Sequence, residues 1–271
     1  MINYIVITDI GRDTDDTLAL IILLYLHKKN NINLSCIAVS GAKLELRANS
    51  VYYWLYKFNI TDISVVLALN EEFSFKPIDI DEKTNEIIKD VDSNICILPY
   101  NDDITRDNIN IFIRNIKTYN NLYEYFAENP QNIDIIAIAP IRPLYTALHK
   151  NSKLINKIDN IYFQGNAYYY KKSLMPDIRA GGRGSYNFGN GFPNKEEIMK
   201  ETKYVIDLFN KSKKRKDNKL YFLGKNTAYL VELTENDLYK IDKQIAELTI
   251  KKTLLFAKSL PDVFNLVFKN N

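Results

Sequence analysis

Apolar residues along this chain alternate between short β-branched runs and longer stretches with helical spacing. The first run, Ile2 to Thr8, is rich in isoleucine and valine and ends at an acidic turn that contains Gly11. Apolar residues then recur three or four positions apart, or side by side, at Leu18, Ile21, Ile22, Tyr25 and Leu26. This change of periodicity predicts a strand, a loop and a helix in that order.

The same alternation continues along the chain. It predicts further strands at Leu34 to Val39, Ile63 to Leu69, Ile133 to Ala139, Asn160 to Gln164 and Lys219 to Leu223. It predicts helices at about Leu44 to Phe58, Ile109 to Phe126, Leu144 to His149, Lys195 to Asn210, Asp237 to Leu248 and Thr253 to Phe268. Strands that alternate with helices indicate an α/β fold with an open, mostly parallel sheet flanked by helices. Because no linker rich in Pro, Gly or Ser divides residues 1–271, we expect a single domain.

Three segments interrupt the alternation. Glu71 to Asp107 is polar and acidic, and Tyr168 to Gly191 is rich in glycine, tyrosine and arginine. Both are long enough to form a lid or a pocket wall. The third segment, Lys211 to Lys219, is a short basic run with neighbouring Asp and Asn, which is typical of a solvated connection between a helix and a strand.

Composition narrows the classes of function. Lys and Arg number 36 against 33 Asp and Glu, and a net charge of +3 does not indicate a nucleic-acid or membrane-surface partner. The longest apolar run, Leu18 to Leu26, is shorter than the roughly 20 residues that span a bilayer, and no leader peptide opens the chain. Cys36 and Cys96 are too few for a disulfide framework or for a zinc site of their own. We therefore expect a cytoplasmic protein without membrane contact.

An acidic loop follows the first predicted strand. Within eight residues it contains the four carboxylates of Asp9, Asp13, Asp15 and Asp16. Ligands of open parallel sheets bind outside the carboxyl ends of the strands, where this loop falls. A hard divalent cation such as Ca²⁺ or Mg²⁺ takes oxygen ligands and would offset the mutual repulsion of these carboxylates. In the alternative interpretation one aspartate caps the helix and the others are solvated, but capping does not explain Asp9 at the strand end.

Several segments resemble one known family. IVITDIGRDTDDTLALIILL, residues 5–24, is similar to the amino-terminal signature of the nucleoside hydrolases. Ile133 to Leu148 resembles the family's strand ending in Gly-Pro-Leu-Thr-Asn-Leu, and Ile161 to Ala167 resembles its Met-Gly-Gly-Ala strand. Weaker similarities follow in the family's order at Ser185 to Phe188, Leu220 to Leu238 and Leu260 to Leu266. The resemblance covers most of the chain and implies a nucleoside-hydrolase-like fold.

The resemblance also implies a reaction, which is hydrolysis of the N-glycosidic bond of a ribonucleoside or nucleotide with Ca²⁺ as cofactor. The metal ligands would be Asp9, Asp16, Asp262 and the backbone carbonyl of Arg142 or Ile141. Asp9 would also act as general base, and Asp15 and Asn187 would hold the ribose hydroxyls. The chemistry is consistent, because negative charge stabilises a ribosyl-cation-like transition state and a metal lowers the pKa of its water.

Other family positions are replaced in this chain. Ala42, Ser185 and Pro261 stand where the family has Asn, Glu and His, and Arg142-Pro143 replaces a Thr-Asn pair. These changes remove a ribose contact, the carboxylate that grips the 5′-hydroxyl and the histidine that precedes the last aspartate. The polarity of the implied pocket is therefore altered at several points.

A proton donor for the departing base is not obvious. Histidine is the usual donor at neutral pH, but both histidines, His27 and His149, are predicted at the carboxyl ends of crossover helices, away from the acidic loop. Tyrosines of the long loop could instead stack on a base and donate a proton, namely Tyr168, Tyr169, Tyr170 and Tyr186. The same tyrosines could simply cover the edge of the core.

The long loop also carries Arg179 and Arg183 around small residues, an arrangement suited to a phosphate. Since Ser185 replaces the acid that meets the 5′-hydroxyl, a 5′-phosphorylated substrate fits this exchange, although Gly-Arg runs also occur in ordinary loops.

Two functions from different classes remain open. The first is calcium-dependent N-ribohydrolysis of a small-molecule nucleoside or nucleotide, supported by the retained aspartates and Asn187. The second is a catalytically degenerate binding or structural protein with the same fold and metal, supported by Ala42, Ser185 and Pro261. A nucleic-acid partner is not expected, and the oligomeric state, including a homo-oligomer, is left open.

Overall fold

A computed structural model describes residues 2–11, 15–41, 44–67, 106–129, 132–170, 173–177, 186–189, 194–212, 218–224, 235–243, 245–247 and 249–250. Among these residues, no helix is both long and apolar enough to cross a membrane. Three predicted features lie wholly or mostly outside the described residues: residues 71–105 of the predicted lid at Glu71 to Asp107, the predicted helix at Thr253 to Phe268, and most of the basic run at Lys211 to Lys219.

Within the described residues, the centre of the fold is a parallel sheet of seven strands. Its strands are β1 (Asn3–Thr8), β2 (Asn33–Val39), β3 (Ser64–Val66), β4 (Thr118–Tyr119), β5 (Ile133–Ala137), β6 (Ile158–Gln164) and β9 (Leu220–Leu223). The spatial order is β4-β3-β2-β1-β5-β6-β9, so the order reverses at β1. The predicted open parallel sheet is confirmed, and β1 and β5 flank the switch point where such sheets bind ligands.

Helices cover both faces of the sheet. They are α1 (Asp15–Lys28), α2 (Leu44–Phe58), α3 (Arg106–Ile113), α4 (Leu122–Glu128), α5 (Arg142–Lys150), α6 (Lys195–Lys211) and α7 (Glu235–Ile241), with 3₁₀ turns at Ser152–Lys157 and Tyr186–Phe188. Val6 of β1 packs with α1, α2 and α3, whereas Ile5 and Ile7 pack with α4, α5 and α6. Because neighbouring strand residues face opposite sides, β1 contributes to both cores and is buried from Ile5 to Thr8.

The predicted helix at Ile109 to Phe126 is wrong. The chain instead forms α3, the two-residue strand β4 and α4. Thr118 and Tyr119 pair with β3, and the Asn121 side chain accepts a hydrogen bond from Glu124 N at 3.1 Å, which begins a new helix. An asparagine that caps a helix competes with the continuous helix that the apolar spacing suggests.

The predicted loop at Tyr168 to Gly191 also contains regular structure. A hairpin of β7 (Ala167–Tyr170) and β8 (Ser173–Pro176) extends beyond the carboxyl end of β6. The alternation of apolar and polar residues in this glycine- and tyrosine-rich segment was too irregular to predict these strands.

Candidate active site at the carboxyl edge of the sheet

Backbone hydrogen bonds bring three segments together where β1 ends. Ser40 N donates to Thr8 O at 2.9 Å, and Ile138 N donates to Ile7 O at 3.0 Å. The residues after β1, β2 and β5 therefore lie side by side at the carboxyl edge of the sheet. This edge contains Asp9, the first of the predicted site residues.

Asp16 is fixed to the end of β1. Its side chain is buried, with 5% of the residue exposed, and it accepts a hydrogen bond from the Thr8 hydroxyl. Thr8 Oγ1 in turn accepts from Ile10 N at 3.1 Å. Thr8 thus holds the first turn of α1 against the strand end, and Asp16 is a buried carboxylate with a hydrogen-bond donor beside it. Asp15, one residue earlier, is exposed.

A basic side chain that the sequence analysis missed lies beside Asp9. Gly41 has a φ of +87°, and a Cβ there would lie 3.3 Å from Asp9 Cβ and 3.4 Å from Arg47 Nε. Arg47 Nη1 also donates to Ile10 O at 3.3 Å. The position of Arg47 in the sequence could have indicated this contact. Arg47 lies in the first turn of α2, where the helix dipole disfavours a cation unless acceptors or acids are close.

The loop between β5 and α5 carries the predicted backbone ligand. Ser40, 2% exposed, donates its hydroxyl to Pro140 O at 2.6 Å. Ile141 and Arg142, whose carbonyls are the two predicted alternatives, follow directly at the start of α5. Ser40 therefore ties the end of β2 to the segment in which that carbonyl is predicted.

The Arg142 side chain has a separate role. Its guanidinium pairs with Glu197 and Glu201 of α6, each at 2.9 Å. Glu201 is almost fully covered, and burial raises the pKa of its carboxyl group above the ordinary value, although Arg142 opposes that rise. The ion pairs thus connect the start of α5 to α6.

Asn187, predicted to hold a ribose hydroxyl, connects β5 and β6. Its Nδ2 donates to Ile138 O at 2.9 Å, to Gln164 O at 3.3 Å and to Gln164 Oε1 at 3.1 Å. All of these bonds use the amide nitrogen, so the carbonyl oxygen Oδ1 is the group that Asn187 can present to a ligand hydroxyl. Gln164 is a second polar residue of this edge that sequence reasoning missed.

The structure does not describe the side chains of three further predicted site residues. Arg183 and Asp262 lie outside the described residues, and so does the side chain of Tyr186. Their assignments stay predictions, as do the replacements at Ala42, Ser185 and Pro261.

The donor atoms at the edge are compatible with a hard cation. Among the described residues no group of three His, Cys, Asp or Glu side chains could hold a metal, and the predicted set requires Asp262 from outside them. Asp9 and Asp16 supply carboxylate oxygens, and a carboxylate can accept the Thr8 hydroxyl and still bind a cation. Oxygen ligands of this kind suit Ca²⁺ rather than a soft metal.

Both histidines lie away from this edge, as predicted. His27 lies in the last turn of α1, and its Nδ1 accepts from Leu34 N, near the start of β2, at 3.2 Å. His149 lies in the last turn of α5 and stacks on Tyr145 with 5.5 Å between ring centroids. Neither imidazole can protonate a ligand held beside Asp9.

Known structures share this arrangement of strands and helices. The type III effector XopQ, solved in complex with adenosine diphosphate ribose, matches with a TM-score of 0.65 and 14% identity over 99% of this chain and 70% of that one. The inosine-guanosine nucleoside hydrolase matches with a TM-score of 0.58 and 11% identity, over 100% of this chain and 80% of that one. The inosine-uridine preferring nucleoside hydrolase of Bacillus anthracis matches with a TM-score of 0.53 and 15% identity, over 97% of this chain and 83% of that one.

These likenesses define the class of fold. The chain has the α/β fold of the nucleoside hydrolases and of the effector XopQ, which confirms at the level of fold the resemblance found in the sequence. No family profile matches the chain, and no curated protein sequence does. At 11–15% identity the likeness is one of fold.

Proposed function

We propose that this protein is a calcium-dependent N-ribohydrolase that cleaves the N-glycosidic bond of a small nucleoside or nucleotide. The observation that carries the proposal is the placement of Asp9, Asp16 and Asn187 at one edge of the sheet, in a fold shared with nucleoside hydrolases. Asp9 and Asp16 follow β1, and Asn187 is tied to β5, the strand next to β1.

Each residue has a chemical task in this proposal. Asp9 and Asp16 would hold the cation with Asp262 and a carbonyl of Ile141 or Arg142, and Asp15 and Asn187 would orient the ribose. When bound, Ca²⁺ lowers the pKa of a water and orients it. Asp9 accepts a proton from the attacking water while the water oxygen bonds to C1′ of the ribose. The C1′–N bond breaks with its electron pair moving to the base.

The base must gain a proton as it leaves. Since neither histidine reaches the site, solvent or a tyrosine of the β7–β8 region would supply it. Substrates whose leaving group is stable as an anion should therefore react fastest. A p-nitrophenyl riboside leaves as a phenolate and needs little help from an acid.

Calcium binding is tested by thermal unfolding. We expect added Ca²⁺ to raise the Tm of the parent protein, and Asp16→Asn to abolish the shift. Asp62→Asn is the matched control, because Asp62 lies beside His27, far from the acidic loop. An unchanged Tm in the parent protein would exclude the calcium assignment.

Catalysis is tested with the activated riboside. We expect calcium-dependent release of p-nitrophenolate, its loss in Asp9→Asn, and slow cleavage of inosine or uridine. Asp207→Asn, at a partly exposed ion pair of α6, serves as control. If the parent protein leaves the activated substrate intact in calcium, the hydrolase proposal is wrong; brisk cleavage of natural nucleosides would instead show that a proton donor is present.

A nucleotide-binding protein without catalysis is the second candidate. It is favoured by the match to XopQ, which has the higher TM-score and was solved with adenosine diphosphate ribose. A ligand of this class combines ribose with phosphates, which Arg183 is predicted to recognise. Calorimetry with a nucleoside and its 5′-monophosphate tests this. Tighter binding of the monophosphate that is lost in Arg183→Ala supports phosphate recognition; equal affinities would oppose it.

A further inference from the structure

Arg47 brings a positive charge to the acidic loop from a separate helix. A Cβ at Gly41 would lie 3.3 Å from Asp9 Cβ and 3.4 Å from Arg47 Nε, so Asp9 and Arg47 are neighbours across this glycine. Arg47 Nη1 also donates to Ile10 O at 3.3 Å, which holds the guanidinium against the backbone one residue after Asp9. The positive charge of Arg47 is therefore held beside the loop that is proposed to bind Ca²⁺.

The loop has an excess of negative charge. It contains one basic residue, Arg12, and four carboxylates, those of Asp9, Asp13, Asp15 and Asp16. Asp16 is buried, and both Asp9 and Arg47 are half-buried. Salt screens charges in such places less than it screens fully exposed ones. The guanidinium of Arg47 therefore stabilises the ionised carboxylates when no metal is bound.

The same guanidinium opposes a bound divalent cation. Asp9 is one of the proposed calcium ligands, and a cation that Asp9 binds lies close to Arg47. Two positive charges repel each other at such a distance, and partial burial preserves much of the repulsion. Arg47 thus stabilises the metal-free protein and destabilises the calcium-bound protein. The difference between these two effects lowers the affinity for calcium.

We propose that Arg47 is an internal counter-ion of the acidic loop that lowers its affinity for Ca²⁺. The proposal rests on the proposed calcium site. It implies that the charge of the loop is partly compensated before any metal binds. It also implies that half of the sites fill at a higher free calcium concentration than the carboxylates alone would require.

Calorimetry with CaCl₂ alone tests the proposal. Arg47→Gln removes the charge and keeps a side-chain donor, so its Kd for calcium should be about 10-fold lower than that of the parent at low ionic strength. The difference should become smaller at high salt. Arg47→Lys keeps the charge and should stay within about 3-fold of the parent Kd.

Arg114→Gln is the matched control for charge. Arg114 is exposed and lies after α3 and ahead of β4, at the amino edge of the parallel sheet. The acidic loop lies at the opposite, carboxyl edge. This variant removes the same charge from the protein as Arg47→Gln does, and its Kd for calcium should equal that of the parent.

Thermal unfolding gives a second measurement that distinguishes a counter-ion from a merely structural residue. In EDTA, Arg47→Gln should have a lower Tm than the parent, because the loop has lost a compensating charge. Added Ca²⁺ should raise the Tm of the variant more than that of the parent, since the variant binds calcium more tightly. A residue that only holds the backbone at Ile10 would lower the Tm equally in both conditions.

The outcomes separate this proposal from the calcium site on which it rests. An unchanged or higher Kd in Arg47→Gln would overturn the proposal and leave the calcium site intact. A lower Kd of the same size in Arg47→Lys or Arg114→Gln would also overturn it, because the local charge would not be the cause. Absence of calcium binding in both the parent and Arg47→Gln would contradict the calcium site itself, and the proposal with it. Binding detected in Arg47→Gln alone would support the proposal.

Discussion

Replacement of Arg142 by methionine tests the ion pairs that anchor the start of α5. Arg142 is about half exposed, at 47%, whereas Glu201 is only 7% exposed, so the change leaves a nearly buried carboxylate without the cation that pairs with it. Loss of one partner costs about 3–5 kcal/mol in a fully buried pair and about 0–1 kcal/mol at the surface. The intermediate burial places the expected cost for Arg142→Met at about 2 kcal/mol.

The cost should depend on pH. Burial raises the pKa of Glu201, and removal of Arg142 should raise it further because the opposing charge is gone. An acid whose pKa is higher in the folded than in the unfolded state destabilises the fold while it is ionised. That cost is present above the folded pKa and disappears as the pH falls through it. The difference between Arg142→Met and the parent protein should therefore shrink in acid.

Urea unfolding of the parent, Arg142→Met, Glu201→Gln and the double variant measures the coupling. We expect a coupling free energy of about 1–1.5 kcal/mol at pH 7 and a smaller value in acid. Lys117→Met is the matched control: its partner Glu128 is exposed, so the loss should stay below about 1 kcal/mol. Coupling below about 0.3 kcal/mol, or coupling that does not change with pH, would refute this reasoning.

Three further substitutions test buried features. Asp134→Asn should gain about 1 kcal/mol in stability relative to the parent between acid and neutral pH, because burial raises the pKa of Asp134 and the variant lacks this titration; pH-dependent urea unfolding checks this. Gly189→Ala should cost roughly 2 kcal/mol or more in thermal unfolding, since φ is +102° and a Cβ would lie 2.6 Å from Lys195 O. Ser40→Ala should cost about 1–2 kcal/mol by urea unfolding through loss of its bond to a buried carbonyl.

Regular periodicity predicted the sheet and its main helices well. The helix from Leu44 to Phe58 is found with the predicted bounds. Six of the seven sheet strands that the structure describes coincide with predicted runs, because buried parallel strands are nearly continuous in β-branched residues. β4 was missed because a two-residue strand has no period to detect. Two features set its position. Pairing with β3 joins residues that are far apart in the sequence, and the cap at Asn121 depends on a single side chain.

The candidate site was predictable where local sequence carries the chemistry. Asp9 and Asp16 belong to one dense acidic loop, and the placement of the histidines followed from helix direction. Ser40 was not predictable as a site residue, because it reaches the edge through a contact between separate segments, and the sign of Arg47 was only a cation in the first turn of a helix. A neutral residue in a strand or turn gives no signal of such a contact.

The short β4 also affects how this molecule meets other copies of itself. Among the strands that the structure describes, it forms one border of the sheet with only Thr118 and Tyr119. The charged pair Lys117–Glu128 lies immediately beside this border. An incoming chain would find too few free amide and carbonyl groups there to extend the sheet, and it would have to displace charges to reach them. The break in the predicted helix therefore leaves, in the described part of the sheet, a border of the short and charged kind that disfavours edge-to-edge pairing.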